Sequence, residues 1–198
     1  MYRLVESIKI ENGLIFNLEY HQERMDRSVY NLTGGKNSIK LSSELSVPRE
    51  YTGGLFKCRV VYDKSIELVE FIPYTPRTIG SLRIVHSDID YSCKYEDRNT
   101  LNELFNCRGG CDDVLIIKDG CVTDASSANI TFYDGSRWFT PARPLLAGTK
   151  RSRLLKEGFL AEKDISVDDI KGYTHASLIN AMVEHGTIII PVEQIRHS

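Results

Sequence analysis

The sequence lacks a long apolar run, and it lacks an excess of charge of either sign. No uninterrupted apolar stretch approaches the length needed to cross a bilayer, so we expect no membrane partner. The net charge is -2, from 25 basic and 27 acidic residues, which gives no basic footprint for nucleic acid. The N-terminal residues alternate like a strand and lack the apolar core of a signal peptide. We therefore expect a cytoplasmic protein.

The cysteines lack the spacing of a disulfide framework or a metal site. They lie at Cys58, Cys93, Cys107, Cys111 and Cys121, an odd number without a Cys-x-x-Cys pair. Such a set is typical of reduced thiols in a cytosolic protein. We therefore expect neither structural disulfides nor a bound metal.

The remaining composition is that of an ordinary globular protein, with 41% hydrophobic and 26% charged residues. A chain of 198 residues can form one domain or two small ones. Pro73 and Pro76, with Gly80 close behind and nothing periodic between them, indicate a linker. We therefore divide the chain into an N-terminal domain, residues 1–76, and a C-terminal domain, residues 77–198.

The first part of the chain predicts two strand pairs around one helix. Leu4–Ile10 and Leu14–Leu18 form a hairpin across an Asn-Gly turn. Tyr20–Leu32 predicts a helix that ends at a pair of glycines. Leu55–Tyr62 and Ser65–Phe71 predict the second strand pair.

The second part centres on residues 123–153. Ala128–Tyr133 and Arg137–Thr140 flank an Asp-Gly turn, which is a strong hairpin signal. Two prolines then force a loop, and a small-residue turn at Gly148 opens a helix predicted over Thr149–Phe159. The first amides of a helix have no intrahelical partner, so this turn can bind an anion. By pattern alone, the simpler interpretation is a hairpin, a loop and an ordinary capped helix.

Five further elements complete the prediction. They are a strand at Leu82–His86, a helix at Thr100–Asn106, a strand at Asp112–Ile117 that ends in a turn, a strand at Ala176–Met182, and an edge strand at Ile188–Val192 that contains a proline. Together with the segments above, they predict an α/β fold of the mixed α+β kind.

Residues 124–151 resemble the signature of the class IV aminotransferases, the fold-type IV enzymes that use pyridoxal 5'-phosphate (PLP). In that family an acidic residue and four further residues precede Asn, an apolar strand, a Thr-Pro step and a Leu-Pro-Gly-Ile-Thr-Arg-like turn. The corresponding residues are Asp124, Asn129, Ile130–Phe132, Thr140-Pro141 and Leu146–Arg151. The chain departs from the signature twice, because Asp124 stands where the family usually has Glu, and Ala147 where it usually has Pro.

The resemblance implies two small domains with the cofactor in the interdomain cleft. The family places its cofactor-binding lysine after the first strand of the second domain and about thirty residues before the acidic residue. Lys94 has that relation to Asp124. Lys94 would therefore carry the cofactor and move the substrate Cα proton. Asp124 would keep the pyridine nitrogen protonated.

The resemblance also assigns ligands to the PLP phosphate. Residues 21–24 match the His-x-x-Arg of the family, in which the Arg contacts the phosphate, so this role falls to Arg24. A planar guanidinium suits bidentate phosphate binding. Gly148 and the backbone amides of Thr149 and Lys150 would form the helix start, with Asn180 as a further contact. By composition alone, Arg24 lies on a solvated helix face and Asn180 is a turn or strand-end residue.

Two arginines are candidate contacts for the substrate. Arg59 lies on a predicted strand whose counterpart in the family can face the substrate pocket, although an outward-facing arginine fits the pattern equally well. Arg98 follows Lys94 by four residues, as in the deoxychorismate lyase branch of the family. Ile179–Met182 is similar to the Asn-Ala-Leu-like segment of the same branch. The family also implies a homodimer that acts on a small-molecule amino substrate.

Three functions are compatible with the resemblance. The first is a 4-amino-4-deoxychorismate lyase, which eliminates pyruvate to leave p-aminobenzoate for folate synthesis, and Arg98 and Ile179–Met182 support it. The second is a branched-chain or D-amino-acid transaminase, which shares the first half-reaction. The third is a non-catalytic PLP-binding homologue. Asp124 suggests this third function, as does a start near Val5-Glu6-Ser7, which leaves out the longer N-terminal lead of the family.

Overall fold

The computed structural model describes residues 2–197, which form two compact units. The first unit comprises the residues up to Pro76 together with Cys93–Asp97. The second comprises Arg77–Ser92 and the chain from Arg98 onward. Lys94 therefore belongs to the first unit, although the strand before it belongs to the second.

The first unit contains a four-stranded antiparallel sheet and two helices. Its elements are, in chain order, β1 (Leu4–Glu11), β2 (Leu14–Ile15), α1 (Leu18–Thr33), α2 (Leu41–Glu44), β3 (Leu55–Tyr62) and β4 (Ile66–Pro73). The strands lie in the order β2-β1-β3-β4, so β1 and β3 are central. A short 3-10 helix, Arg49–Tyr51, precedes β3.

The core of this unit lies between β1 and α1. Every second residue of a strand points to the same face, which directs Leu4, Glu6, Ile8 and Ile10 of β1 to one side. The buried residues of α1 are His21, Arg24, Met25 and Ser28, with the spacing of a single helical face. Apolar residues from both elements join one core cluster. Because Glu6, His21 and Arg24 are buried on the same two faces, the core also contains a group of polar side chains, its polar centre.

The segment that contains Lys94 pairs with the first half of β1. β2 pairs with Ile10 and Glu11 at the far end of β1, which leaves the edge near Val5 for another partner. The Val5 amide donates a hydrogen bond to the Lys94 carbonyl at 2.9 Å, and Leu4 pairs with Tyr95. Backbone hydrogen bonds thus fix Lys94 beside β1.

The second unit is built on a mixed sheet of nine strands. Its elements are β5 (Leu82–His86), α3 (Asn99–Asn106), β6 (Asp113–Lys118), β7 (Cys121–Ala125), β8 (Asn129–Tyr133), β9 (Trp138–Pro141), α4 (Thr149–Lys156), β10 (Leu160–Lys163), β11 (His175–Ile179), β12 (Ile188–Pro191) and β13 (Ile195–Arg196). The main strand order is β10-β9-β8-β7-β6-β5-β13, and β11 pairs with both β8 and β12. Two 3-10 helices, Asp168–Gly172 and Val192–Gln194, complete the unit. The predicted mixed α/β fold class is confirmed.

Among the boundaries that differ from the prediction, two lie beside a residue in the left-handed conformation. β2 ends at Ile15 rather than Leu18, because Asn17 adopts a left-handed conformation (φ 54°) and α1 begins at the next residue. α4 ends at Lys156 rather than Phe159, since Gly158 (φ 72°) turns the chain into β10. The pattern indicated neither β10 nor the two-residue β13.

Three further observations concern the thiols, metal-binding groups and helix lengths. The five cysteines are free thiols. Within residues 2–197, no group of His, Cys, Asp and Glu side chains could hold a metal ion. Over the same range, no helix is both long enough and apolar enough to span a membrane.

Candidate active site

Asp124 lies near the end of β7, at the centre of a hydrogen-bonded junction. Its Oδ1 accepts a hydrogen bond from Asn129 Nδ2 at 2.7 Å, and its Oδ2 accepts one from the Leu146 amide at 2.9 Å. Asn129 Nδ2 also donates to the Leu146 carbonyl at 2.8 Å. A single amide side chain therefore joins the carboxylate to the loop that leads into α4.

Burial controls the protonation of Asp124. The residue is only 5% exposed, and burial raises the pKa of its carboxyl group to about 6, although the hydrogen bonds from Leu146 and Asn129 oppose the shift. A buried carboxylate gains most from a cationic partner, since that partner offsets the unfavourable burial of the charge. The protonated ring nitrogen of a ligand is such a partner.

The start of α4 is shaped by the contact between Gly148 and Asn129. Gly148 precedes the helix in an extended conformation, with φ -69° and ψ 147°. A Cβ atom at this position would overlap Asn129 Oδ1, so only glycine fits. Among the described residues, no side chain caps the first turn of α4. A helix start of this kind is suited to bind an anion.

The first two basic side chains of α4, Lys150 and Arg151, form ion pairs within the second unit. Lys150 is fully buried, and its Nζ lies 2.5 Å from a carboxylate oxygen of Glu184. Arg151 donates to the Pro141 carbonyl at 2.8 Å and to Glu162 at 2.6 Å. A role for Lys150 in anion binding therefore falls to its backbone amide.

Arg98 and Asn180 both contact the turn between β7 and β8. Arg98 Nη2 donates to the Ser126 carbonyl at 2.8 Å, and Asn180 Nδ2 donates to the Ser127 carbonyl at 3.1 Å. Asn180 Oδ1 also accepts two backbone amides of the turn that follows it. The structure thus brings together two residues that the sequence assigned to different ligands, and each of them supports the turn next to Asp124.

In the first unit, Arg24 lies in a buried cluster with Glu6 and His21. Arg24 Nε donates to Glu6 Oε1 at 2.9 Å, and Nη2 donates to Oε2 at 2.5 Å. His21 Nδ1 lies 2.6 Å from the same Oε2. All three side chains are buried. The prediction from composition, that residues 21–24 lie on a solvated helix face, is therefore wrong for His21 and Arg24.

The charges within the cluster determine its protonation. Burial would raise the pKa of Glu6, but the charge of Arg24 and the hydrogen bonds from His21 and Arg24 bring it down to about 2. Burial lowers the pKa of His21 despite its hydrogen bond to Glu6, and the charges of Arg24 and Lys94 lower it further. At neutral pH Glu6 is therefore ionised, and His21 is neutral with its proton on Nδ1. Lys94 lies close enough to act electrostatically on this cluster.

Arg59 lies outside the cluster. It pairs across the sheet with Ser7, whereas Glu6 pairs with Val60, so Arg59 projects from the opposite face. Its Nη1 donates to Glu70 at 2.7 Å, and its Nη2 lies 2.5 Å from Glu96. The structure does not bring Arg59 to the side of the sheet that holds Arg24.

Comparisons with known proteins identify the family of the chain. Residues 92–195 match the family described as amino-transferase class IV, a span of just over half of the chain. The chain belongs to the class IV aminotransferases. These are PLP-dependent enzymes that act on small-molecule amino substrates.

Individual relatives cover nearly the whole chain. An uncharacterized protein of Haemophilus influenzae is 39% identical over 186 residues, which span 92% of this chain and 98% of that protein. The crystal structure of a proposed 4-amino-4-deoxychorismate lyase from Haemophilus somnus 129pt is 34% identical, with a TM-score of 0.82, over 92% of this chain and 97% of that one. A hypothetical aminotransferase of Mycobacterium tuberculosis in its PLP-bound form shares the fold, with a TM-score of 0.79 at 16% identity over 100% of this chain and 84% of that one.

Glu6 is the residue of this class IV aminotransferase to which sequence reasoning gave no role. The signal was present, because Glu6 is the one acidic residue on a strand face that otherwise carries Leu4, Ile8 and Ile10. A carboxylate at an inward strand position is rarely buried without a partner. That partner, Arg24, is separated from it by 18 positions in the chain.

Replacement of Gly148 by Ala should destabilise the junction at α4. The new Cβ overlaps Asn129 Oδ1, so the Asn129 side chain, whose Nδ2 is bonded to Asp124, must shift. We expect the free energy of unfolding to fall by about 1–3 kcal/mol, as in other overpacked sites. Gly110→Ala is the matched control in urea unfolding, because its Cβ meets nothing within 4 Å. Equal stability of the two variants would contradict the overlap.

Asp124→Asn should change the pH dependence of folding. The pKa of Asp124 is about 6 in the folded protein and ordinarily 3.8, so the folded state binds the proton more tightly. Wild-type stability should therefore fall as the pH rises, whereas the amide does not titrate. Relative to the variant, the wild type should lose about 2 kcal/mol between about pH 4 and pH 7 in cofactor-free urea unfolding. A difference that is constant with pH would mean that burial does not raise the pKa.

Proposed function

We propose that this class IV aminotransferase is a 4-amino-4-deoxychorismate lyase, which eliminates pyruvate and releases p-aminobenzoate. The observation that carries the proposal is the similarity, over nearly the full length of both chains, to the Haemophilus somnus protein. Two sequence features also resemble the deoxychorismate lyase branch of the family: Arg98 follows Lys94 by four residues, and Ile179–Met182 is similar to the Asn-Ala-Leu-like segment of that branch. The homodimer and the cytoplasmic location remain predictions.

The side chains of each unit fit the chemical groups of PLP. In the second unit, the start of α4 after Gly148 suits a phosphate, and the buried carboxylate of Asp124 suits a protonated pyridine nitrogen. In the first unit, Arg24 is a buried guanidinium of the kind that binds phosphate, and Lys94 is an amine that the backbone holds beside β1. The fold is shared with a Mycobacterium tuberculosis protein in a PLP-bound form.

Each of these residues has a distinct task in the proposed reaction. When bound, PLP supplies an electron sink for the electron pair released at the substrate Cα. Lys94 would hold the cofactor covalently, and its amine would take the proton from the substrate Cα. Asp124 would hold the proton on the pyridine nitrogen. Arg24 in the first unit and the amides at the start of α4 in the second are each candidate ligands of the phosphate.

Arg98 is a better candidate for the substrate carboxylate than Arg59. Arg59 already lies between two carboxylates, Glu70 and Glu96, which compensate its charge. Arg98 donates to a backbone carbonyl, which compensates its charge only in part. Arg98 also stands beside the turn that follows Asp124, so we assign the substrate role to it.

The assay that tests this function separates the three candidates. With PLP, the wild-type protein should form p-aminobenzoate and pyruvate from 4-amino-4-deoxychorismate without any keto acid. Lys94→Ala should abolish this turnover, whereas Lys171→Ala, which changes an exposed lysine, should not alter it. Amino transfer that requires a keto acid would establish a transaminase instead. PLP binding without either activity would establish a non-catalytic homologue.

A further inference from the structure

Glu6 is a fully buried carboxylate at the centre of the first unit. Its side chain has no exposed surface, and it shares the inward face of β1 with apolar residues. A buried ion pair is seldom more stabilising than apolar residues of the same volume. The presence of Glu6 in this core therefore requires an explanation other than stability.

The contact between Glu6 and Arg24 fixes the direction of the guanidinium. Glu6 occupies the Nε/Nη2 edge through two hydrogen bonds. Because the guanidinium is planar and rigid, its Nη1/Nη2 edge then points in one direction only. This second edge has the spacing that binds two phosphate oxygens.

His21 fixes Glu6 in turn. Its Nδ1–H donates to Glu6 Oε2 at 2.6 Å, so the carboxylate is held between His21 and Arg24 and cannot rotate. His21 Nε2 is buried, and among residues 2–197 it has no hydrogen-bond partner. An unpaired buried acceptor is unfavourable, which indicates that the imidazole is kept for its contact with Glu6.

We propose that Glu6 is a positioning residue through which Arg24 binds the phosphate group of a phosphate monoester. Glu6 sets the direction of the Nη1/Nη2 edge and does not itself touch the ligand. The proposal rests on the function given above, in which Arg24 holds the cofactor phosphate.

The charges of the cluster allow the orienting role of Glu6 to be distinguished from simple neutralisation of Arg24, because the two predict opposite changes in anion binding. Glu6 carries one negative charge, whereas Arg24 and Lys94 both act on the cluster as positive charges. If Glu6 only neutralised Arg24, its removal would strengthen anion binding. If Glu6 orients Arg24, its removal should weaken anion binding, because the bidentate geometry is lost.

The test compares PLP with pyridoxal, which lacks the phosphate. The ratio of the two affinities isolates the phosphate contribution, and spectroscopic titration gives both dissociation constants. In Glu6→Gln the ratio should fall by about tenfold, the effect of losing much of a charge-assisted hydrogen bond. Glu6→Asp keeps the charge but retracts the carboxylate, so the ratio should fall there too. Glu67→Gln, which breaks the Glu67–Arg3 pair of the same unit, is the control and should keep the wild-type ratio.

The double variant Glu6→Gln with Arg24→Gln shows whether Glu6 acts through Arg24. Its ratio should equal that of Arg24→Gln alone. A ratio that stays unchanged or rises in the Glu6 variants would overturn the positioning role, even if their stability in urea falls. If Glu6→Gln does not fold, Glu6→Asp decides by the same criterion. Wild-type protein that binds PLP no more tightly than pyridoxal would instead contradict the proposed function.

Discussion

A buried carboxylate must be paired or protonated, and each unit of this protein is arranged around one. In the first unit, two hydrogen bonds from Arg24 and one from His21 bring the pKa of Glu6 down to about 2. In the second, Asp124 accepts hydrogen bonds from neutral donors, and burial outweighs both these bonds and the charge of Arg151, so its pKa is about 6. The first carboxylate is hydrogen-bonded to its cation, whereas the second would still gain from a cation that a ligand brings. This difference underlies both proposals, that Glu6 orients Arg24 and that Asp124 contacts the ligand.

The residues that meet in the second unit can be named from the sequence, because they lie close together in the chain. Asp124, Asn129 and Gly148 lie within 25 positions of one another, and the family signature names all three. The structure adds the reason for their spacing, since Asn129 bonds to Asp124 and fills the place of a Gly148 side chain. The Asp in place of Glu at position 124 is held by the same two donors, Asn129 and the Leu146 amide.

The sequence predicts the first unit less completely, because its polar centre depends on tertiary contacts. Alternation along β1 and the spacing of α1 indicate which residues face inward, yet neither shows that Glu6 meets Arg24. Composition placed Arg24 on a solvated face, since arginine is seldom buried without a partner. The predicted ends of β2 and α4 are wrong because a single residue nearby, Asn17 or Gly158, adopts a left-handed conformation. Short strands such as β13 carry too few residues to produce a pattern.

The most direct test of the account is the identity of the lysine that holds the cofactor. Wild-type protein incubated with PLP, reduced with borohydride and digested should yield the labelled cofactor on the peptide that contains Lys94. The same treatment of Lys94→Ala should leave the peptides unlabelled, although noncovalent PLP can still be retained by the phosphate ligands. Label on a different lysine, or wild-type protein that takes up no label, would contradict the assignment of this chain's chemistry to Lys94.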